Sequence, residues 1–429
     1  MIVFKWSFLI IIMMLSVGNV NATDVNYGAS VNVASYDNLN LEPEILNPPE
    51  EESASLIAAL SIAQDSATIT ANLDSTYEKL FYKSDLNDDQ NILNLVADGI
   101  WRIKPGLFEW YLSEVFTQTA IDVLEADTLN NRQDTSIFTT GPNMQFRLAP
   151  QNTIDLEFRF QKSRFEIDNT SNSRLIGRSS FTHRVNPNLN LLINYDNEKV
   201  NYTERITNSN FYRNDFFISA QYTKARNQYE VELGSTNINF ENEGSDDQDI
   251  ARYKVAWIHQ HNRNSSTSLL INRSVEDTAT NLNNGLVNAN DPVVNASNLD
   301  LFLNEAIHIV YNTVFSQGNL IIEPYINKIK YNDQLELNTH ETGLLVLGSL
   351  QLSGRSSLSF DLQYLESDYD NIQPKRIDED TIYRLLYTYR IGRHLNLSFD
   401  STRQVRDSTF ADQSYEDLRF LLTLEYTSR

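Results

Sequence analysis

The stretch Asp417-Leu418-Arg419-Phe420-Leu421-Leu422-Thr423-Leu424-Glu425-Tyr426-Thr427-Ser428-Arg429 decides how this chain is read. Leu418, Phe420, Leu422, Leu424 and Tyr426 fall on one face of an extended segment. Arg419, Leu421, Thr423, Glu425 and Thr427 fall on the other. A period of two describes a strand with one apolar and one mostly polar face. Such a strand ends either a soluble sandwich or a membrane barrel. In a barrel the apolar face meets lipid, the polar face meets the lumen, and closure removes the sheet edge.

The remaining sequence separates the two. The chain has 429 residues and a formal charge of −23, which argues against a nucleic-acid partner and against a surface built to hold anionic lipid. It has no cysteine, which excludes disulfides, thiolate metal sites and a lipid-modified N-terminal cysteine. Tyr and Phe number 21 each against 14 Gly and 10 Pro, a β-sheet composition, and the polar remainder is rich in Asn, Thr and Ser. Residues 1–22 read as a secretory signal: Lys5 is the positive head, 6–17 the apolar core and Val20-Asn21-Ala22 the cleavage site. That apolar run is too short for a membrane helix, and no later stretch has the length a spanning helix needs. Residues 23–429 are therefore expected to form one domain that meets the membrane through strands.

Connection lengths alternate. Tight turns are read at Lys104-Pro105-Gly106, Ala149-Pro150-Gln151-Asn152, Asn186-Pro187-Asn188, Lys224-Ala225-Arg226-Asn227 and Asn262-Arg263-Asn264. They continue at Ser316-Gln317-Gly318-Asn319, Ser353-Gly354-Arg355 and Gly392-Arg393-His394. Between them lie longer polar segments at 166–173, 201–210, 239–249, 276–300, 332–335, 367–378 and 404–415. Near the N-terminus, strand-like runs at 53–63 and 66–82 are separated only by Gln64-Asp65. Pro, Gly and Asn supply the backbone angles that tight turns need. Short periplasmic turns alternating with longer extracellular loops are the pattern of an all-β, antiparallel up-and-down transmembrane barrel. A sandwich has no reason to keep it. The count is about 16–20 strands, with an even total and both termini on the periplasmic side.

The faces agree. Ile154, Leu156, Phe158 and Phe160 alternate with Asp155, Glu157, Arg159 and Gln161. Tyr229, Val231 and Leu233 alternate with Glu230 and Glu232; Tyr253, Val255 and Trp257 alternate with Arg252, Lys254 and Ala256. Tyr383, Leu385, Tyr387 and Tyr389 alternate with Arg384 and Arg390, and Leu397 and Phe399 with Asp400. With Arg419, the eleven charged members of these polar faces are the candidate lumen-lining residues. Residues 342–350 are apolar on both faces, as for a strand whose inner face is covered by a loop. Trp101, Trp110, Tyr195, Tyr222, Trp257, Phe315, Tyr364 and Tyr426 are candidates for interfacial aromatic girdles.

The first strand leads into Tyr36-Asp37-Asn38-Leu39-Asn40-Leu41-Glu42-Pro43, and hairpins bearing Tyr and Arg follow. This succession resembles the outer-membrane β-barrel proteins associated with exopolysaccharide biosynthesis and PEP-CTERM sorting systems. The resemblance runs over essentially the whole mature chain as a pattern, with the Asn-Leu-Asn-Leu-x-Pro run as its one local motif. It implies a barrel that exports or organises polymer, and it brings no catalytic or ligand residues. The chain departs from many barrels in ending on Thr427-Ser428-Arg429 rather than an aromatic.

His259-Gln260-His261 places two rings on one strand face, a pattern open to metal or to a polar interface. Asp85-Leu86-Asn87-Asp88-Asp89 begins like a calcium loop but has Gln90 and Val96 where Gly and Glu are needed. There is no Gly-x-Ser-x-Gly nucleophile elbow. The long segment 276–300 is read either as a constriction folded into the lumen or mouth or as an external loop. The sequence thus points to a non-enzymatic outer-membrane barrel, without cofactor or resident metal, supporting polysaccharide export. A small-solute porin and a plugged docking barrel are the alternatives. Expected partners are outer-membrane lipid and lipopolysaccharide, the barrel assembly machinery, polysaccharide and periplasmic export components. The acidic chain is expected to favour neutral polymers or cations over polyanions.

Overall fold

The computed structural model describes residues 23–84, 87–167, 170–203, 210–241, 247–277, 301–332 and 334–428. The signal-like segment 1–22, Asp85-Leu86 and nearly all of the 276–300 segment lie outside them. The first ten strands are β1 (Thr23–Tyr36), β2 (Glu51–Asp65), β3 (Ile69–Tyr82), β4 (Gln90–Lys104), β5 (Phe108–Ala120), β6 (Arg132–Ala149), β7 (Asn152–Phe165), β8 (Asn172–Asn186), β9 (Leu189–Tyr202) and β10 (Phe211–Lys224). The second ten are β11 (Asn227–Phe240), β12 (Gln248–Asn262), β13 (Ser265–Glu276), β14 (Phe302–Phe315), β15 (Gly318–Tyr331), β16 (Thr339–Ser353), β17 (Ser356–Tyr369), β18 (Arg376–Arg390), β19 (Leu395–Ser408) and β20 (Tyr415–Thr427). Each pairs antiparallel with its sequence neighbours, and β1 also pairs with β20, from Gly28 opposite Thr427 to Tyr36 opposite Arg419. The sheet is a closed twenty-stranded up-and-down barrel.

Every connection from an odd to an even strand is long, and every connection from an even to an odd strand is a tight turn. Thr23 lies opposite Gln64 beside such a turn, and Thr427 meets β1 at the same end, so the described chain begins and ends on the short-turn side. Followed partner to partner round the ring, the register returns to β1 displaced by about 26 residues, which for twenty strands means a tilt of roughly 40° and a backbone radius of about 20 Å.

Reach tells inside from outside, because strands far apart in the ring can touch only across the interior. Arg174 on β8 pairs with Asp277 just beyond β13, and Arg376 on β18 donates to the Leu124 carbonyl between β5 and β6. Register then gives each residue its face. The outward face carries the band of exposed apolar side chains, among them Val31, Val33, Phe158, Phe160, Ile193, Ile218, Leu233, Ile307, Leu422 and Leu424. All eight candidate girdle aromatics share it. Six of them, Trp101, Trp110, Tyr222, Trp257, Phe315 and Tyr426, stand at the short-turn end. Trp101 opposes Trp110 directly, and the rings of Tyr222 and Tyr229 lie 6.2 Å apart.

Three expectations are corrected. The strands are longer than they read, consuming the edges of the segments taken as loops, because their polar outer ends keep pairing beyond the apolar band. The first tight turn is 66–68, not Gln64-Asp65: Ser66 caps it, its hydroxyl accepting from the Ile69 amide at 3.0 Å and donating to the Ile69 carbonyl at 2.9 Å. On β16 the inner face is covered by a neighbouring ring. Tyr325 lies over Gly343, where a Cβ would fall 2.1 Å from it, and His308 stacks on the other side with centroids 5.3 Å apart. On the outer face Phe360 covers Gly348 in the same way. A glycine beside an aromatic on the adjacent strand lets the ring lie flat on the sheet.

The face assignment is testable at neighbouring positions of the closing strand. Leu422→Arg puts a charge into the lipid band near mid-height and should cost about 2–4 kcal/mol in urea unfolding from vesicles. Leu421→Arg points inward, opposite Asp400, and should leave the unfolding midpoint nearly unchanged. Equal losses would contradict the faces.

Candidate functional site

The interior wall is built by the polar half of each alternating strand. Register puts Asp155, Glu157, Arg159, Glu230, Glu232, Arg252, Lys254, Arg384, Arg390, Asp400 and Arg419 on the inward face, in two sectors on opposite sides of the ring.

In the β7–β12 sector, Arg178 donates to Glu157 at 2.9 Å. Lys254 holds Glu230 at 2.6 Å, and Arg252 holds Glu232 at 3.2 Å while lying over the Phe217 ring at 3.8 Å. Asp155 accepts from Gln145 at 2.7 Å. Arg159 has a more structural position, nine-tenths buried. Pro142 has no N–H to give the ladder, and partnering between β6 and β7 breaks between Thr140–Phe160 and Asn143–Glu157. The Arg159 guanidinium fills the gap, donating to the Phe158 and Pro142 carbonyls at 2.9 and 3.2 Å and to Asn143 at 2.6 Å.

In the β17–β20 sector, Asp400 gathers Arg384 at 2.5 Å and Arg419 at 3.9 Å, and Arg384 also approaches Asp361 at 3.8 Å. Arg390 is exposed and has no side-chain ion pair among the described residues.

Toward the long loops the interior closes up. Ten strands carry an inward-facing Tyr or Phe as their terminal residue on that side. Around β7–β11 these are Phe165, Tyr202, Phe211 and Phe240, packed with Ile137, Val200 and Ile238. Phe302 and Tyr331 follow on β14 and β15, packed with Leu337 and with Val123 and Leu124 from the β5–β6 connection. Tyr369, Tyr415, Tyr36 and Tyr82 complete the collar, with Arg376 over Tyr369 at 5.0 Å and Arg406 over Tyr415 at 5.3 Å. Sequence reasoning missed the collar, although each ring continues the parity of its strand's lumen residues: Phe165 is in step with Asp155, Glu157 and Arg159.

One connection and the two ends of another reach this collar. The β5–β6 connection seats Val123 and Leu124 between rings on the far side of the barrel, and Arg376 binds the Leu124 carbonyl at 2.8 Å. The β13–β14 connection is held where it leaves and re-enters the wall. Asp277 is fully buried against Arg174, which also holds Glu198 at 3.0 Å, and Leu301 packs into the apolar cluster. The interior of the segment between them lies outside the described residues.

The remaining candidates sit elsewhere. His259 and His261 face outward at the short-turn end, 4.8 Å apart edge to face, bonded to Asn227 and Thr267 and flanked by Trp257 and Tyr311. They belong to the interfacial belt. Among the described residues no group of three or more His, Cys, Asp and Glu side chains is placed to hold a metal. The Asn38 motif is a clasp. Its amide bonds both the Glu42 N–H and C=O, and it reaches the Glu416 carbonyl at 3.1 Å on β20. The C-terminal Thr427-Ser428 is part of the seam as well, Ser428 exchanging hydrogen bonds of 2.9 Å with Tyr27.

Among solved structures, the chain is similar to the FrpB iron transporter of Neisseria meningitidis (F5-1 variant), with TM-score 0.50 and 9% identity over 97% of this chain and 84% of that one. Lower similarity is found with the siderophore receptor PiuA of Acinetobacter baumannii, TM-score 0.47 at 10% identity over 94% and 81%. A BenF-like porin of Pseudomonas fluorescens Pf-5 gives TM-score 0.45 at 10% identity over 96% and 100%. At such identities the likeness is one of fold. No protein-family model and no curated protein sequence matches the chain. The fold is that of an outer-membrane β-barrel, and nothing in these comparisons links it to exopolysaccharide machinery.

Removing one side of a buried ion group leaves uncompensated charge. Arg174→Ala should lower stability by about 3–5 kcal/mol in denaturant unfolding of the refolded barrel. Loss of the exposed Lys83–Glu52 pair by Lys83→Ala should leave it unchanged.

Proposed function

We propose that the chain is a non-catalytic pore of the outer membrane that carries hydroxyl-rich solutes, with saccharide export as its service. The observation that carries this reading is the wall below the collar. It is lined by Asn, Ser, Thr and mixed charges, and parts of it, such as Asn72, Asp74 and Thr76, are exposed inside the barrel. Sugars lose water on entering a pore, and a wall of paired donors and acceptors replaces those hydrogen bonds without holding any one too tightly. Acidic side chains outnumber basic ones on the inward face, which favours neutral or cationic cargo over polyanions. The eleven charged residues set that field, Arg390 and Arg384 with the most freedom and Arg159 with the least. Lipopolysaccharide around the lipid band and the assembly machinery at insertion are the partners this reading implies.

The drawn-in connection favours one refinement. The β5–β6 connection acts as a strap across the mouth, so the resting pore is narrow on the long-loop side. If the strap never lifts, the barrel is a docking body for surface polymer.

The deciding measurement is single-channel conductance of the refolded protein in a planar bilayer, with and without oligosaccharides. A cation-selective conductance reduced by sugar is expected. Val123→Ser with Leu124→Ser, which unseats the strap, should raise the conductance. A barrel that stays silent in both forms would overturn the pore in favour of the docking body.

A further inference from the structure

One lateral row of inward-facing partners crosses six strands. Asn143 on β6 opposes Glu157 on β7, which opposes Arg178 on β8; Asp196, Asp215 and Thr236 continue the row on β9, β10 and β11. Five of the six are engaged. Asn143 accepts from Arg159 at 2.6 Å, Glu157 takes Arg178 at 2.9 Å, and Asp215 takes the Thr236 hydroxyl and Arg213, the latter at 2.8 Å. Asp196 has neither hydrogen bond nor ion pair among the described residues. One row neighbour is a guanidinium already bound to Glu157, and the other is a second carboxylate. Asp196 is therefore the one member of the row without a bonded partner: Arg178, Arg213 and Arg252 act on it from a distance but are each bound to another carboxylate, in a partly desolvated wall.

Asp196 borders a recess of about 700 Å³ that Asp155, Ser180, Asn194 and Phe217 also line. This volume lies within the range of small-molecule sites and admits a short oligosaccharide. Its lining alternates carboxylates, amide, hydroxyl and guanidinium with one aromatic ring, which suits a ligand with many hydroxyls. A carboxylate that has lost water to the wall without gaining a bonded partner is stabilised when a cation reaches it. Glu157 is met by Arg178 at 2.9 Å and Arg159 at 3.3 Å, and Asp215 by Arg213 at 2.8 Å and Arg252 at 3.7 Å, which leaves Asp155 and Asp196 as the carboxylates of the recess without an ion pair among the described residues and open to a cationic ligand.

We propose that this recess binds an amino sugar through its free ammonium group, with Asp196 as counter-ion and the flanking Asp155 and Ser180 meeting its hydroxyls. This rests on reading the barrel as a saccharide pore and names the class of saccharide it selects. The N-acetylated sugar has the same hydroxyls but no charge, and the recess discriminates against it.

The test is equilibrium binding by calorimetry to the full refolded barrel in detergent, using the glucosamine trisaccharide and its fully N-acetylated counterpart. The amine form should bind at least about tenfold more tightly. Asp196→Asn, which keeps shape and removes charge, should abolish that preference; Asp196→Glu should retain part of it; Lys83→Ala, at an exposed position away from the recess, should leave it unchanged. Equal affinity for the two trisaccharides, or a preference that survives Asp196→Asn, overturns the proposal. The binding readout is independent of conduction. A silent barrel with an Asp196-dependent preference would sink the pore and keep the site, and a conducting barrel without the preference would do the reverse.

Discussion

Everything in this molecule depends on the pairing of β1 with β20. Inside hydrocarbon no water satisfies a backbone N–H or C=O, so a sheet can cross only if its first and last strands meet. The seam is held beyond the ladder at both ends. Ser428 ties to Tyr27 on the short-turn side, and Asn38 holds Glu42 and the β20 backbone on the long-loop side. The C-terminal residues that look like an overhang in the sequence are thus part of the closure, and the Asn-Leu-Asn-Leu run has a mechanical reason that involves no ligand.

Closure creates an interior, and the interior is graded. Near the short turns the wall is polar and partly exposed. Near the long loops it passes into buried ion groups and then the aromatic collar. Burying charge is costly, and Arg174 with Glu198 and Asp277 is tolerated because each charge is met in place. The return is positional: a single arginine on β8 ties down the start of a connection five strands away. Arg376 does the same for the β5–β6 strap from β18. Ion pairs that look like pore lining in one dimension are, in three, anchors for the mouth.

Arg159 illustrates how the two uses compete. Its position on the polar face is the one expected for a charge that shapes the lumen field, yet its donors are spent on carbonyls around Pro142. A proline in a ladder leaves an acceptor unmet, and the nearest fork of donors answers it. Asp196 is the opposite case, a carboxylate of the same parity whose neighbours are committed elsewhere. A carboxylate without a bonded partner is left where the wall's own pairing falls one partner short.

The local period of two, the turn residues and the alternation of connection lengths are properties of short segments. They sufficed for the all-β class, the up-and-down order and an expected range of about 16–20 strands that includes the twenty observed, because strand period and turn chemistry are local. Parity cannot say which residues meet across the ring. That depends on register summed over twenty strands and on a connection that folds inward, so the pairing of Arg174 with Asp277, the seating of Leu124 and the isolation of Asp196 were decided by tertiary structure alone. The physical reason is distance: neighbours in a strand are set by bond geometry, whereas neighbours across a lumen are set by closure, and closure is a property of the whole chain.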